Sequence, residues 1–127
     1  MTDIVTLLSA REQPFSLQGL AKSIGAHWHH FPIDGGHIDT LKSVDLGSLF
    51  ALIDEIEGRD ENAVIYLHCS AGLHRTGFAA YAILRRSGLA PDAALAALRA
   101  LRPVTADEVG KDRLDLAEHQ FQTWLST

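Results

Sequence analysis

Apolar and polar positions change their period several times along the chain. Asp3 to Leu8 is a short β-branched run and predicts a buried strand. From Phe15 to Ile24 the apolar residues Leu17, Leu20, Ala21 and Ile24 keep a helical spacing, and Gly25 ends that pattern. His27 to Ile33 predicts a second strand stopped by Pro32, and Asp34 to Thr40 is a loop by its glycines. A longer helix is expected from about Leu41 to Glu57, because Leu46, Leu49, Phe50, Ile53 and Ile56 share one face before Gly58. Ala63 to Leu67 predicts the third strand. A helix then follows to about Arg86, and another from Pro91 to Leu101, with proline at a first-turn position. Arg102-Pro103-Val104-Thr105 breaks the pattern. The stretch from Asp107 to Leu125 predicts a last helix with Leu114, Leu116, Phe121, Trp124 and Leu125 as its apolar candidates.

Strands that alternate with helices imply parallel pairing through right-handed crossovers, so the fold class is α/β: a central, mainly parallel sheet flanked by helices. No internal repeat, low-complexity tract or linker interrupts the 127 residues, and residues 1–127 read as one domain. In open α/β sheets ligands bind beyond the carboxyl ends of the strands. Cys69 follows the third strand and Asp34 follows the second, so both belong to that end.

Composition narrows the partners. Hydrophobic residues make up 46% of the chain, enough for a packed core. The formal charge of −5 argues against a nucleic-acid partner, which rewards a basic face, yet it leaves room for a local pocket for one phosphate. No apolar run approaches the roughly 20 residues of a membrane span. The N-terminal Met1-Thr2-Asp3 carries an acid where a signal peptide carries lysine or arginine, and one cysteine excludes an intramolecular disulfide. A non-secretory, cytoplasmic monomer is the expectation, with no membrane partner.

The chemistry concentrates in Tyr66-Leu67-His68-Cys69-Ser70-Ala71-Gly72-Leu73-His74-Arg75-Thr76-Gly77. A strand, a tight loop of small residues and a helix start form an anion cradle, because backbone N–H groups turn inward and the helix dipole adds positive charge. Arg75 offers a planar fork for two phosphate oxygens, which lysine does not. The same field lowers a thiol from its ordinary pKa of about 8.5 and favours the thiolate. Thr76 is placed to hydrogen-bond the sulfur. A lone cysteine is more often a packed core residue, but a core has no use for an arginine beside it.

His68-Cys69 followed by five residues, Arg75 and Thr76 resembles the H-C-x5-R-[ST] signature of the protein tyrosine phosphatase superfamily. The run His29-His30-Phe31-Pro32-Ile33-Asp34-Gly35-Gly36 extends the resemblance to the dual-specificity group, and within it to the kinase-associated phosphatase type. The resemblance implies a metal-free and cofactor-free phosphatase acting through a phosphocysteine on Cys69. It implies that Arg75 and the amides of Ser70, Ala71, Gly72, Leu73, His74 and Arg75 bind the phosphate. Asp34 then protonates the leaving oxygen, with Asp39 as its rival, since most loop aspartates only cap turns. His68 is expected to shape the loop from behind, and His74 to lie in solvent or beside the anion.

The chain departs from the family pattern in places. Val104 to Arg113 holds no glutamine of the kind that orients the hydrolytic water, which leaves Glu108, Asp112 or no residue in that role. Lys111 and Arg113 stand either near the pocket mouth or on a solvated helix start. No lysine lies in the cysteine loop, which favours a phosphoprotein, a phosphopeptide or a small aryl phosphate over a polyphosphorylated lipid. A shallow pocket follows. A metabolite or inositol phosphate remains an alternative substrate. A rhodanese-like sulfurtransferase and a catalytically weak phospho-residue binding module are the rival functions. His27, His29, His30 and His37 lack an acidic partner at ligand spacing, so no metal site is expected.

Overall fold

A computed structural model describes residues 1–127. Three parallel strands, β1 (Asp3–Thr6), β2 (His27–His30) and β3 (Ile65–His68), form the sheet in the order β2-β1-β3. Val5 pairs with His29 on one side and Leu67 on the other, so β1 is central. Seven helices follow the chain: α1 (Ser16–Ser23), α2 (Ile38–Leu41), α3 (Leu46–Arg59), α4 (His74–Arg86), α5 (Pro91–Leu101), α6 (Pro103–Glu108) and α7 (Lys111–Leu125). A 3-10 turn, Ala10–Glu12, lies between β1 and α1.

The alternation of each strand decides its packing. Val5, Leu7, Leu67 and Ile65 face the main core with Leu49, Phe50, Ile56, Phe78 and Phe121. Ile4 faces the opposite side and packs with Ala21 and Ala26 under α1. Phe50 anchors the α3–α7 contact, with its ring 4.8 Å from Trp124 and 6.5 Å from Phe121. All five apolar positions expected on α3 are buried.

Several boundaries differ from the sequence reading. The helix expected from Leu41 starts at Leu46, because the Asp45 carboxylate caps it by accepting from Ser48 N at 3.2 Å. The short helix α2 fills the end of the loop expected through Thr40. The ladder stops at His30, although Phe31 N and Ile33 N still donate to Thr6 and Leu7 carbonyls at 2.9 and 3.0 Å. Pro103 does not end helical structure; it takes the first position of α6, where its missing N–H costs nothing. Gly110, at φ +89°, then separates α6 from α7, so the last helix begins at Lys111 rather than Asp107. On α1 only Ala21 is buried, and Leu20 and Ile24 are mainly exposed.

At the end of the sheet away from Cys69, the buried Asp3 carboxylate accepts from Thr2 Oγ1 at 2.6 Å, His29 Nε2 at 2.7 Å and Arg59 at 2.7 Å. Burial works to raise its pKa, but the hydrogen bonds of Thr2, Arg59 and His29 prevail and hold it at about 2. This cluster ties the end of α3 to β1 and β2.

Candidate active site

The site forms where β3 ends. His68 closes the strand, Cys69 to Leu73 turn, and α4 begins at His74. Gly72 takes φ +72°, a left-handed conformation that permits the tight loop, and a side chain there would run into the Arg102 guanidinium. Thr105 Oγ1 of α6 donates to Gly72 O at 2.5 Å and props the loop from outside. Val109 lies so close to Gly77 that any larger residue at 77 would collide with it. The α6 segment read as a break is therefore the buttress of the cysteine loop.

Cys69, Arg75 and Thr76 are all buried. Thr76 Oγ1 donates to Cys69 Sγ at 3.0 Å. Burial pushes the thiol up, but the Thr76 hydroxyl and the backbone N–H groups of Thr76, Gly72 and Leu73 favour the thiolate and bring it below its ordinary value. The loop thus presents a ring of N–H donors around a sulfur poised to ionise.

Behind the loop, Trp28 Nε1 donates to Thr6 Oγ1 at 2.8 Å, and Thr6 Oγ1 lies 2.7 Å from His68 Nε2. An indole N–H only donates, so Thr6 Oγ1 accepts from Trp28 and links it to His68. Burial lowers the pKa of His68, and its bond to the Cys69 backbone opposes that. An imidazole whose protonation burial disfavours stands under the loop.

Arg75 is held on two sides. Its Nη1 donates to Glu12 Oε1 at 2.7 Å and to Ile33 O at 2.9 Å, and its Nη2 donates to Glu12 Oε2 at 3.1 Å. Glu12 also accepts from Ser9 N at 2.9 Å and Ser9 Oγ at 3.1 Å. The Arg75 hydrogen bonds, with those from Ser9, outweigh partial burial and hold the Glu12 carboxyl at about 2. Sequence reading missed Glu12. The available sign was Ser9-Ala10-Arg11-Glu12, which has the S-x-x-E form of a capping box.

The Asp34 loop docks on the same elements. Ile33 O takes the Arg75 bond, and Gly36 packs so tightly on His74 that an added Cβ would come within 2.7 Å of the His74 Cβ. Asp34, between them, is exposed, and its carboxylate makes no hydrogen bond or ion pair. Asp39 lies on α2, with its side chain 97% exposed and 3.7 Å from Lys42 Nζ. A groove of about 790 Å³ is lined by Arg11, Phe31, Asp34 and Val44 among others, but by no residue of the cysteine loop.

Other candidates fall elsewhere. Glu108 and Asp112 are exposed and make no side-chain bond, Lys111 pairs with Asp115 at 2.6 Å, and Gln120 Nε2 donates to Leu41 O at 3.1 Å. His30 Nε2 bonds Leu8 O, and His29 bonds Asp3. No three His, Cys, Asp or Glu side chains are grouped to hold a metal ion. No helix is long and apolar enough to cross a membrane.

Solved structures share this architecture. Tk-PTP in a glycine-to-alanine mutant form matches with a TM-score of 0.73 at 25% identity, over 99% of this chain and 80% of that one. Tk-PTP in the active form matches with a TM-score of 0.71 at 25% identity, over 95% and 78% of the two chains. The chain has the protein tyrosine phosphatase superfamily fold. Kinase associated phosphatase, carrying serine in place of its catalytic-site cysteine, matches over 100% of this chain and 71% of its own, with a TM-score of 0.73 at 22% identity. The phosphatase likeness is structural: no protein-family model matches the chain, and no curated protein sequence does. It supports phosphatase activity in the broad sense.

Proposed function

We propose that the chain is a cysteine-dependent phosphatase for phosphotyrosine in proteins, with phosphoserine and phosphothreonine as further substrates. The observation that carries this reading is the thiol of Cys69, which receives hydrogen bonds from Thr76 and three loop amides while Arg75 stands beside it. That arrangement suits a trigonal group of phosphoryl oxygens, and a packed core cysteine has no need of it.

In this reading the Cys69 thiolate attacks phosphorus in line. The loop amides of Ser70 to Arg75 and the free N–H donors of Arg75 stabilise the equatorial oxygens. The bond from phosphorus to the leaving oxygen breaks, and Asp34 gives that oxygen its proton. Water then attacks the phosphocysteine, the S–P bond breaks, and the Asp34 carboxylate takes the water's proton. Thr76 stabilises the sulfur anion as nucleophile and again as leaving group. Glu12 and His68 are positioning residues, one for Arg75 and one for the loop. We place the enzyme in the cytoplasm, where a thiolate of this kind stays reduced.

Turnover of p-nitrophenyl phosphate with and without EDTA tests the reading. Activity indifferent to EDTA and abolished in Cys69→Ser, with phosphate or vanadate still bound, is the expected result. Turnover retained in Cys69→Ser would remove the phosphocysteine. Sulfur release from thiosulfate without phosphatase activity would transfer the site to the sulfurtransferase class.

A further inference from the structure

We propose that Arg113 is a latch that holds the Asp34 loop over the cysteine loop. It is a positioning residue for proton transfer, and this role rests on the phosphatase reading of the same site.

The Asp34 loop is fixed at two points. Beyond the end of β2, Phe31 N and Ile33 N donate to Thr6 O and Leu7 O, and Ile33 O accepts from Arg75. Beyond Asp34 and Gly35, Gly36 O accepts from Arg113 Nε at 2.6 Å. Asp34 therefore spans two arginines, one in the first turn of α4 and one in the first turn of α7. The second pin is what keeps the free half of the loop against His74.

The pose of Arg113 is determined by its surroundings. Its Nη1 donates back to Val109 O at 3.2 Å, and Val109 is buried against Gly77 behind the cysteine loop. At Gly110 φ is +89°, so the backbone under the guanidinium favours glycine.

Arg113 also differs from most arginines of the molecule. Arg59, Arg75, Arg85, Arg86 and Arg99 each pair with a carboxylate. Acids surround Arg113 in sequence, yet Asp107 pairs with Arg99, Asp115 pairs with Lys111, and Glu108 and Asp112 pair with nothing. Arg113 donates only to two main-chain carbonyls, one of them in the Asp34 loop.

Removing the latch leaves Cys69, Arg75 and the amide ring in place and loosens only Asp34. Substrates should then separate by their need for a proton. Phenyl phosphate and p-nitrophenyl phosphate share a shape but differ in leaving group. In Arg113→Met, kcat for phenyl phosphate should fall about 10-fold or more, and kcat for p-nitrophenyl phosphate about 3-fold or less. Inhibition by inorganic phosphate should stay unchanged. Arg113→Lys, which keeps one donor in reach of Gly36 O, should recover most of the loss. Amide hydrogen exchange should rise across residues 34–37 in Arg113→Met while β1 and β3 keep wild-type protection, a readout independent of turnover. Equal losses on both substrates with weaker phosphate inhibition would make Arg113 a phosphate ligand and overturn the latch. Unchanged exchange at 34–37 would also overturn it. If the wild type turns over neither substrate, the phosphatase reading fails, and exchange at 34–37 still decides the latch.

Discussion

Glu12 and Arg75 are joined by two hydrogen bonds across 63 residues of sequence, at 2.7 and 3.1 Å. The carboxylate fixes the plane of the guanidinium, and Ser9 in turn fixes the carboxylate. A fork that is already oriented loses little freedom when it meets an anion, which is the value of arginine over lysine at such a site. Glu12→Gln keeps the shape but gives up the charge-assisted bonds. Its kcat/KM should fall about 10- to 100-fold, the usual worth of hydrogen bonds to a charged group. Arg75→Lys should cost more, and combining the two should cost little beyond Arg75→Lys alone, because both act through one guanidinium. Steady-state kinetics on the three variants checks this, and additive losses would mean that Glu12 acts elsewhere.

Thr76 supplies the side-chain donor to Cys69 Sγ. Thr76→Ala removes a force that lowers the thiol pKa, so the pH midpoint for alkylation of Cys69 by iodoacetamide should move upward. Thr76→Ser keeps the hydroxyl and should hold the wild-type midpoint. Turnover of Thr76→Ala should drop about 10-fold, the scale of one hydrogen bond to an anion. An unmoved midpoint would leave the loop amides and Arg75 as the cause of the shift.

These two relationships show what was legible in the sequence. The cysteine loop was readable because nucleophile, cradle and arginine lie within seven consecutive residues, from Cys69 to Arg75, and the strand and helix that frame them have clear periods. α3 was readable for the same reason: its apolar face repeats without interruption from Leu46 to Ile56. Glu12 was not singled out, because its partner lies on another element and nothing local records that distance. α6 was read as a break, because Pro103 signals either an end or a beginning, and tertiary contacts with Gly72 and Gly77 settle which. Arg113 was visible only as charge near a helix start. Its bond to Gly36 brings together positions 77 residues apart.

Asp3 gives a stability prediction separate from catalysis. Its carboxyl titrates at about 2 in the fold against an ordinary value of 3.8. A carboxyl depressed on folding stabilises the protein at pH above its unfolded value, and that contribution is lost as pH falls through the folded value. About 2 kcal/mol should therefore be present at neutral pH and disappear between roughly pH 4 and pH 2. Denaturant unfolding of Asp3→Asn should show that deficit at pH 7 and a smaller one near pH 3. The folded variant should keep wild-type turnover, since Asp3 lies at the opposite end of the sheet from Cys69. A deficit that does not shrink in acid would assign the effect to packing rather than ionisation.

Asp34 and Asp39 separate most cleanly by leaving group. Asp34 lies between two docked carbonyls, Ile33 O on Arg75 and Gly36 O on Arg113. Asp39 faces solvent on α2 beside Lys42. A general acid matters most when the departing oxygen is a poor leaving group, and its help is typically worth about 10²–10⁴-fold. Asp34→Asn should therefore slow phosphoserine and phosphothreonine peptides by a factor in that range, and p-nitrophenyl phosphate by much less. The substitution should also flatten the alkaline limb of the pH–rate profile. Asp39→Asn should keep the bell-shaped profile and lose less than about 2-fold on any substrate, as surface changes usually do. If the two variants exchange behaviours, the acid is on α2 and the Asp34 loop is held in place for another purpose. If neither alters the alkaline limb, the proton comes from another group, and His37 is the next residue to replace.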